Sequence, residues 1–241
     1  MPADLARGNA RAAGAAPAAT PVRARAWGGL RRPAALVLGL LVLSATEEAA
    51  AKPAHAGPFA TAGAYSTDFT GFPKWRGMLD RFARELSEPD SADVQVWHAF
   101  ARSLAVRDML AQLSAVNAAV NTFPYVSDEA NWGKIDFWET PVEFLHRAGD
   151  CEDFAVTKYM ALRELGVAAD AMRVVVVDDN EVAITHAVLV VAADRTYYVL
   201  DNLKAAVEPI TALASYRPIY AINEHGWWNY GPPPAVSAAG P

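Results

Sequence analysis

The chain has 241 residues, 21 lysines and arginines against 27 aspartates and glutamates, and a formal net charge of −6. The charge is unevenly spread: residues 1–51 hold six arginines and three acids, which leaves fifteen basic and twenty-four acidic residues, a net −9, in the rest of the chain. That balance disfavours nucleic-acid binding, which needs clustered Lys and Arg, and the single cysteine excludes an intramolecular disulfide or a multi-cysteine zinc site.

Residues 1–32 are rich in Ala, Arg and Gly and show no apolar period. Residues 34–45 (AALVLGLLVLSA) are a continuous apolar run behind Arg31-Arg32, with small-residue sites downstream at Ala49-Ala50-Ala51 and Ala54-His55-Ala56. A basic flank, a short apolar core and such sites describe a secretory signal. The run is shorter than the about 20 residues that span a bilayer. Residues 1–56 are therefore expected to be an export segment cleaved near Ala51 or Ala56, with no integral membrane domain left afterwards; the alternative is an uncleaved N-terminal anchor. Residues 57–230 amount to one domain. Residues 231–241 (GPPPAVSAAGP) are of low complexity and expected to be disordered.

Residues 57–73 scatter Gly, Pro, Thr and Ser among aromatics and read as an irregular arm. Trp75, Met78, Leu79, Phe82 and Leu86 recur at 3–4 spacing and predict a helix over 74–86. Pro89 lies in the break that follows. A second helix carries Val94, Trp97 and Leu104, and a third Val106, Met109, Leu110, Leu113, Val116 and Val120. Asn117 and Asn121, four apart, read as part of a solvated face. Residues 122–140 have no helical period and read as a packed loop. Thr140-Pro141-Val142-Glu143 is a capping box with proline at the first helical position, opening a short helix that ends at Gly149.

The next helix, over 150–165, organises the chain. Asp150 is a good N-cap, Asp153 stands three residues on as a capping-box acid, and Gly166 is a natural C′ residue. Cys151 falls at the first helical position, where free backbone N–H groups and the helix dipole favour a thiolate by about 0.3–1 kcal/mol. That is under one pKa unit, and Asp150, Glu152 and Asp153 push the other way. A nucleophilic Cys151 therefore needs a histidine beside it; without one, a lone cysteine is a small buried apolar group.

After Ala168 the composition turns β-branched. Residues 172–177 (MRVVVV) predict a strand, residues 184–191 a second, 196–200 a third and 219–222 a fourth. Short turns join the first three, so an antiparallel sheet follows the N-terminal helices: the fold class is α+β. His186 interrupts the apolar second strand, and Asp201 closes the third. A hairpin turning on Ala193-Asp194 sets residue 186 opposite 201; a turn on Asp194-Arg195 sets Asp201 opposite Val188, diagonal to His186 on the same face. Either register brings carboxylate to imidazole, as in a nucleophile–base–orienter triad of Cys151, His186 and Asp201. His98 and His146 lie on amphipathic helices, His225 near the tail and His55 at the cleavage site.

With these residues in place the chain resembles the bacterial transglutaminase-like cysteine peptidases, the group that includes the LapG-type periplasmic proteases. The resemblance runs from about Trp75 to Asn202 and rests on GDCEDFA (residues 149–155) and HAVL (residues 186–189) at their separation. Asn117, Asn121, Tyr125, Asp128, Trp132-Gly133, Asp136, Trp138 and Leu200-Asp201-Asn202 support it. It implies a papain-like, transglutaminase-type fold, the catalytic order Cys151, His186, Asp201, a periplasmic location and a protein substrate, a large surface adhesin cut near a di-alanine site. It implies that Asp150 and Glu152 help to bind calcium. Two acids cannot complete six to eight oxygens, and spacing does not reveal the remaining ligands. An inner-membrane receptor is the regulatory partner expected by the same resemblance. The competing functions are acyl transfer to an amine on the same triad and a non-catalytic binding module.

Overall fold

The computed structural model describes residues 58–59 and 63–231. The expected export segment, residues 1–56, and the expected disordered tail beyond Gly231 lie outside the described residues. Among the described residues no helix is long and apolar enough to cross a membrane.

Among the described residues six α-helices precede most of the sheet. They are α1 (Pro73–Leu86), α2 (Ala92–Ser103), α3 (Met109–Val120), α4 (Asp128–Trp132), α5 (Pro141–Arg147) and α6 (Cys151–Glu164). The strands are β1 (Ala64–Ser66), β2 (Met172–Asp179), β3 (Ile184–Ala193), β4 (Thr196–Leu200), β5 (Glu208–Pro209), β6 (Tyr216–Ile222) and β7 (Trp227–Asn229). They form one antiparallel sheet in the order β1-β7-β6-β2-β3-β4-β5. The α+β expectation stands. The arm contains β1 and the packed loop contains α4, two short elements that offer no period to read.

β2 is a central strand, and Val174, Val175, Val176 and Val177 are all buried, which explains an apolar run with no alternation. One face of the sheet packs Val174, Leu189, Val191 and Leu200 against Phe154, Tyr159 and Leu162 of α6. The other packs Val175, Val188, Val190 and Val199 with Leu213, Tyr216 and Trp228. β6 starts earlier than expected because a β-bulge between Val176 and Val177 accommodates Pro218, a position where a missing N–H is tolerated.

One expectation is overturned. Asn117 and Asn121 do not form a solvated face: Asn117 is fully buried, and both side chains donate into the loop after β4. Asn117 Nδ2 reaches the Lys204 carbonyl at 3.0 Å and Asn121 Nδ2 the Asp201 carbonyl at 2.8 Å. The loop's carbonyls have no sheet partner, so α3 supplies their donors.

Candidate active site

The corner before α6 is held under strain. Ala148, a non-glycine residue at φ 56°, ψ −172°, ends α5; its N–H donates to the Phe144 carbonyl and its carbonyl accepts from Asn131 Nδ2 at 3.0 Å. Such a conformation costs about 1–3 kcal/mol and persists where the surroundings over-determine it. At Gly149 an added Cβ would stand 2.3 Å from Asp153 Oδ2, so no side chain fits. Asp153 fastens the corner: Oδ2 accepts from the Asp150 N–H at 3.1 Å and Oδ1 from the Glu139 N–H at 2.7 Å.

Cys151 opens α6 as expected and is half-buried. Its thiol donates to Glu152 Oε2 at 2.8 Å. Burial first, then the Glu152 carboxylate, push the thiol pKa up; the backbone N–H of Ala187 pulls it back. That N–H comes from an open strand edge. Pairing of β3 with β4 ends at Leu189–Leu200, so the segment around His186 and Ala187 has no strand on that side, and α6 begins there. Sulphur and imidazole thus flank the same stretch of β3.

The β3–β4 hairpin turns on Asp194 and Arg195, both at positive φ (48° and 65°), and pairs Ala193 with Thr196. Continued past β4, this register sets Asp201 level with Val188, the diagonal arrangement. His186 is buried, and its Nε2 lies 2.7 Å from Asp201 Oδ1. Asp201 Oδ1 also accepts the Leu203 N–H at 2.8 Å, and Oδ2 accepts the Tyr216 hydroxyl. Burial alone would raise the Asp201 pKa; the hydrogen bonds from His186 and Tyr216 outweigh it and hold the carboxyl below its usual range. Tyr216 is the residue that sequence reasoning missed. It lies on β6, separated from β4 by β2 and β3, and nothing in its neighbours marks it.

A second group of acids lies beneath the thiol. Carboxylate oxygens of Asp128, Asp150 and Asp153 are within 4.8 Å of one another, and Asp150 shares a second such group with Cys151 and Glu152. Asp150 Oδ1 and Asp128 Oδ1 are buried with no hydrogen-bond partner. Burial, then the Glu152 charge, lifts the Asp150 pKa to about 8, and burial raises Asp128 as well. Buried carboxylate oxygens without donors, close together, fit a hard cation that takes oxygen ligands. Asp150 and Glu152, the two acids named by the resemblance, lie on either side of Cys151, and α4 brings Asp128 beside Asp150 and Asp153.

Phe72, Trp75, Trp138, Ile219, Tyr220 and Trp227 line an apolar cleft. Tyr220 is close enough for the Glu152 and Cys151 charges to add to the effect of burial in raising its pKa.

The model of the family described as bacterial transglutaminase-like cysteine proteinase matches residues 89–228, from before α2 to β7. The chain belongs to this family. The proteinase is also similar to three solved forms of LapG from Legionella pneumophila. The first is 27% identical, covers 63% of this chain and 87% of LapG, and has a TM-score of 0.50. The calcium-bound form is 28% identical with the same coverage and a TM-score of 0.51. The EGTA-treated form is 27% identical, covers 63% and 84%, and has a TM-score of 0.50. No match to a curated protein was found. The proteinase is thus a cysteine peptidase with a transglutaminase-like fold, and its GDCEDFA and HAVL segments both lie within the matched residues.

Proposed function

We propose that the proteinase hydrolyses a peptide bond with Cys151 as nucleophile, His186 as general base and acid, and Asp201 as the group that orients the imidazole. The observation that carries this reading is the buried His186–Asp201 pair, 2.7 Å apart, on the strand edge whose Ala187 N–H meets the only sulphhydryl in the chain. Asp201 engages Nε2 and leaves Nδ1 to take the thiol proton. The thiolate attacks the substrate carbonyl, and the oxyanion forms beside the backbone N–H of Cys151 at the start of α6. Collapse breaks the C–N bond while His186 returns the proton to the leaving amine. Water, deprotonated by His186, then hydrolyses the thioester and frees the thiol.

Calcium is part of the proposal. Asp150 and Glu152, with Asp128, would hold it through side-chain oxygens, and the bound cation would offset the acids that now raise the thiol pKa. LapG's calcium-bound and EGTA-treated forms support this choice of ion. The aromatic cleft suits an extended apolar stretch of a protein substrate, and by likeness to LapG that substrate is a surface adhesin cut near a di-alanine site. The same likeness favours a periplasmic protein with a cleaved segment over residues 1–56 and a regulator in the inner membrane. N-terminal sequencing of the secreted form tests export; an intact N-terminus recovered from the cytoplasm would remove the adhesin reading.

The direct test uses the lone cysteine. Alkylation reports on Cys151 alone, so its rate and peptide-library turnover are measured for the native chain, Cys151→Ala and His186→Ala. The expectation is no turnover in either variant, slow alkylation in His186→Ala, a melting temperature close to native in Cys151→Ala and a lower one in His186→Ala, which leaves the buried Asp201 carboxylate without its imidazole partner. Full turnover by Cys151→Ala would sink the proposal.

A further inference from the structure

Tyr220, Val176 and Ala187 stand level across three neighbouring strands: Tyr220 lies opposite Val176, and Val176 opposite Ala187. Alternation from Ile222, Val174 and Leu189 puts all three on the sheet face that packs α6. Two strand spacings of about 4.8 Å set Tyr220 about 10 Å from Ala187, whose N–H meets the Cys151 sulphur. From Tyr220 outward the cleft is walled by rings. Phe72 lies 5.2 Å from Tyr220 and 4.9 Å from Trp227 between centroids, and Trp138 stands edge-on to Trp75 at 5.9 Å. Trp138 is fixed at the same end, because the next N–H along the chain, that of Glu139, donates to Asp153 in the first turn of α6. The cleft therefore lies beside the start of α6, and its volume of 490 Å³ is that of a ligand pocket. Its two charged lining residues, Lys74 and Asp136, are paired with each other, so neither is left over for a charged guest. Ile219 is the extra residue of the β6 bulge. Its carbonyl accepts the Tyr230 N–H at 2.9 Å, and its half-buried side chain lines the cleft.

We propose that this cleft is the specificity pocket of the peptidase and takes one aromatic or bulky aliphatic side chain of the substrate, about three residues to one side of the scissile bond. The proposal rests on the Cys151–His186–Asp201 reading and names what the substrate of that reading must carry. The offset follows from reach: an extended chain advances about 3.3 Å per residue, so a pocket about 10 Å from the sulphur receives the third residue. An aromatic guest continues the edge-on ring contacts of the walls, and a neutral one leaves the Lys74–Asp136 pair intact. Small side chains at the bond itself then pass the nucleophile, while the choice of site is made further along the substrate.

The test is cleavage of a randomised peptide library at constant calcium, with the cut sites sequenced. It compares the native chain with Ile219→Trp, which fills the cleft, and Ile219→Ala, which widens it. In the native chain Phe, Tyr, Trp, Leu, Ile or Met should be enriched about three residues from the cut, on one side only. For the best hit and its counterpart with alanine at that position, kcat/KM should differ by about tenfold to a hundredfold, the effect of burying one such side chain. Ile219→Trp should bring that ratio close to one, and Ile219→Ala should raise the preference for tryptophan over leucine. The ratio is taken within each variant, so a general loss of activity cancels. Cut sites without an apolar preference at that distance, or ratios unchanged in both variants, would overturn the proposal. An unchanged ratio beside a native dimer that dissociates in Ile219→Trp, read by sedimentation velocity, would give the cleft to a second copy instead. Cleavage that needs Cys151 and His186 but shows no such preference would reject the pocket alone. An uncut library, or cleavage by Cys151→Ala, would reject the hydrolytic reading beneath it.

Discussion

Replacing Asp201 by asparagine separates charge from geometry in an unusually clean way. Oδ1 accepts from His186 Nε2 and from the Leu203 N–H, whereas Oδ2 accepts from the Tyr216 hydroxyl. An asparagine must keep its oxygen toward Leu203, because the flipped amide would set two donors against each other. Its nitrogen then faces Tyr216, whose hydroxyl can turn and accept instead of donating. The imidazole keeps its tautomer and its hydrogen bond and loses only the ionic part. A hydrogen bond to a charged group contributes about 1.5–3 kcal/mol against about 0.5–1.5 for a neutral one, so the loss is about 1 kcal/mol, or five- to tenfold in rate. Asp201→Ala differs in kind: it strands the buried His186 and Tyr216 donors, at about 1–3 kcal/mol each, a large part of a typical stability of about 5–15 kcal/mol. Iodoacetamide alkylation of Cys151 and thermal melting, run on the native chain and both variants, should show a modest rate loss at near-native stability for asparagine and an unstable, far slower alanine variant. Equal rate losses in the two variants would refute the argument that Leu203 pins the amide.

Other outcomes follow from neighbouring groups. Tyr216→Phe removes the donor to Asp201 Oδ2 and should cost about 1–3 kcal/mol in stability, with slower alkylation; a native melting temperature would mean that the hydroxyl does not hold the carboxylate. If Asp150, Glu152 and Asp128 hold calcium, calcium at a hundred times its dissociation constant should stabilise the chain by about 2.7 kcal/mol, EGTA should reverse this, and Glu152→Ala should abolish the response. Titration calorimetry showing no calcium binding would leave the acids as helix caps alone. Glu139 is fully buried, and burial lifts its pKa to about 7. The folded state therefore binds this proton more tightly than the unfolded one, so stability present below about pH 4 is lost as the pH rises through 7. In EGTA the melting temperature should fall between pH 5 and 7.5, and Glu139→Gln should flatten that slope.

Much of this protein was legible in local sequence because the determining interactions are local. The start of α6 at Cys151 follows from capping groups within three residues of it, and its end from Gly166 at φ 90°, a conformation glycine adopts without a Cβ penalty. β2 and the β3–β4 hairpin follow from β-branched runs and a short turn, and alternation along the hairpin was enough to pair His186 with Asp201 in either register. Which register applied was decided by backbone geometry, when Asp194 and Arg195 both took positive φ in a two-residue turn whose twist matches the strands. The rest depends on residues brought together from far apart. Asn117 and Asn121 look solvated on a helical wheel, yet they are recruited by loop carbonyls 87 and 80 residues on that have no sheet partner. Tyr216 reaches Asp201 only because β6 lies beside β2 and its side chain falls on the sheet face that His186 shares. Asp128 joins the acids near Cys151 through α4, a five-residue helix too short to show a period. Sequence spacing encodes caps, turns and alternation; which groups lose water together, and so which charges must share a partner, is set only when the helices close over the sheet.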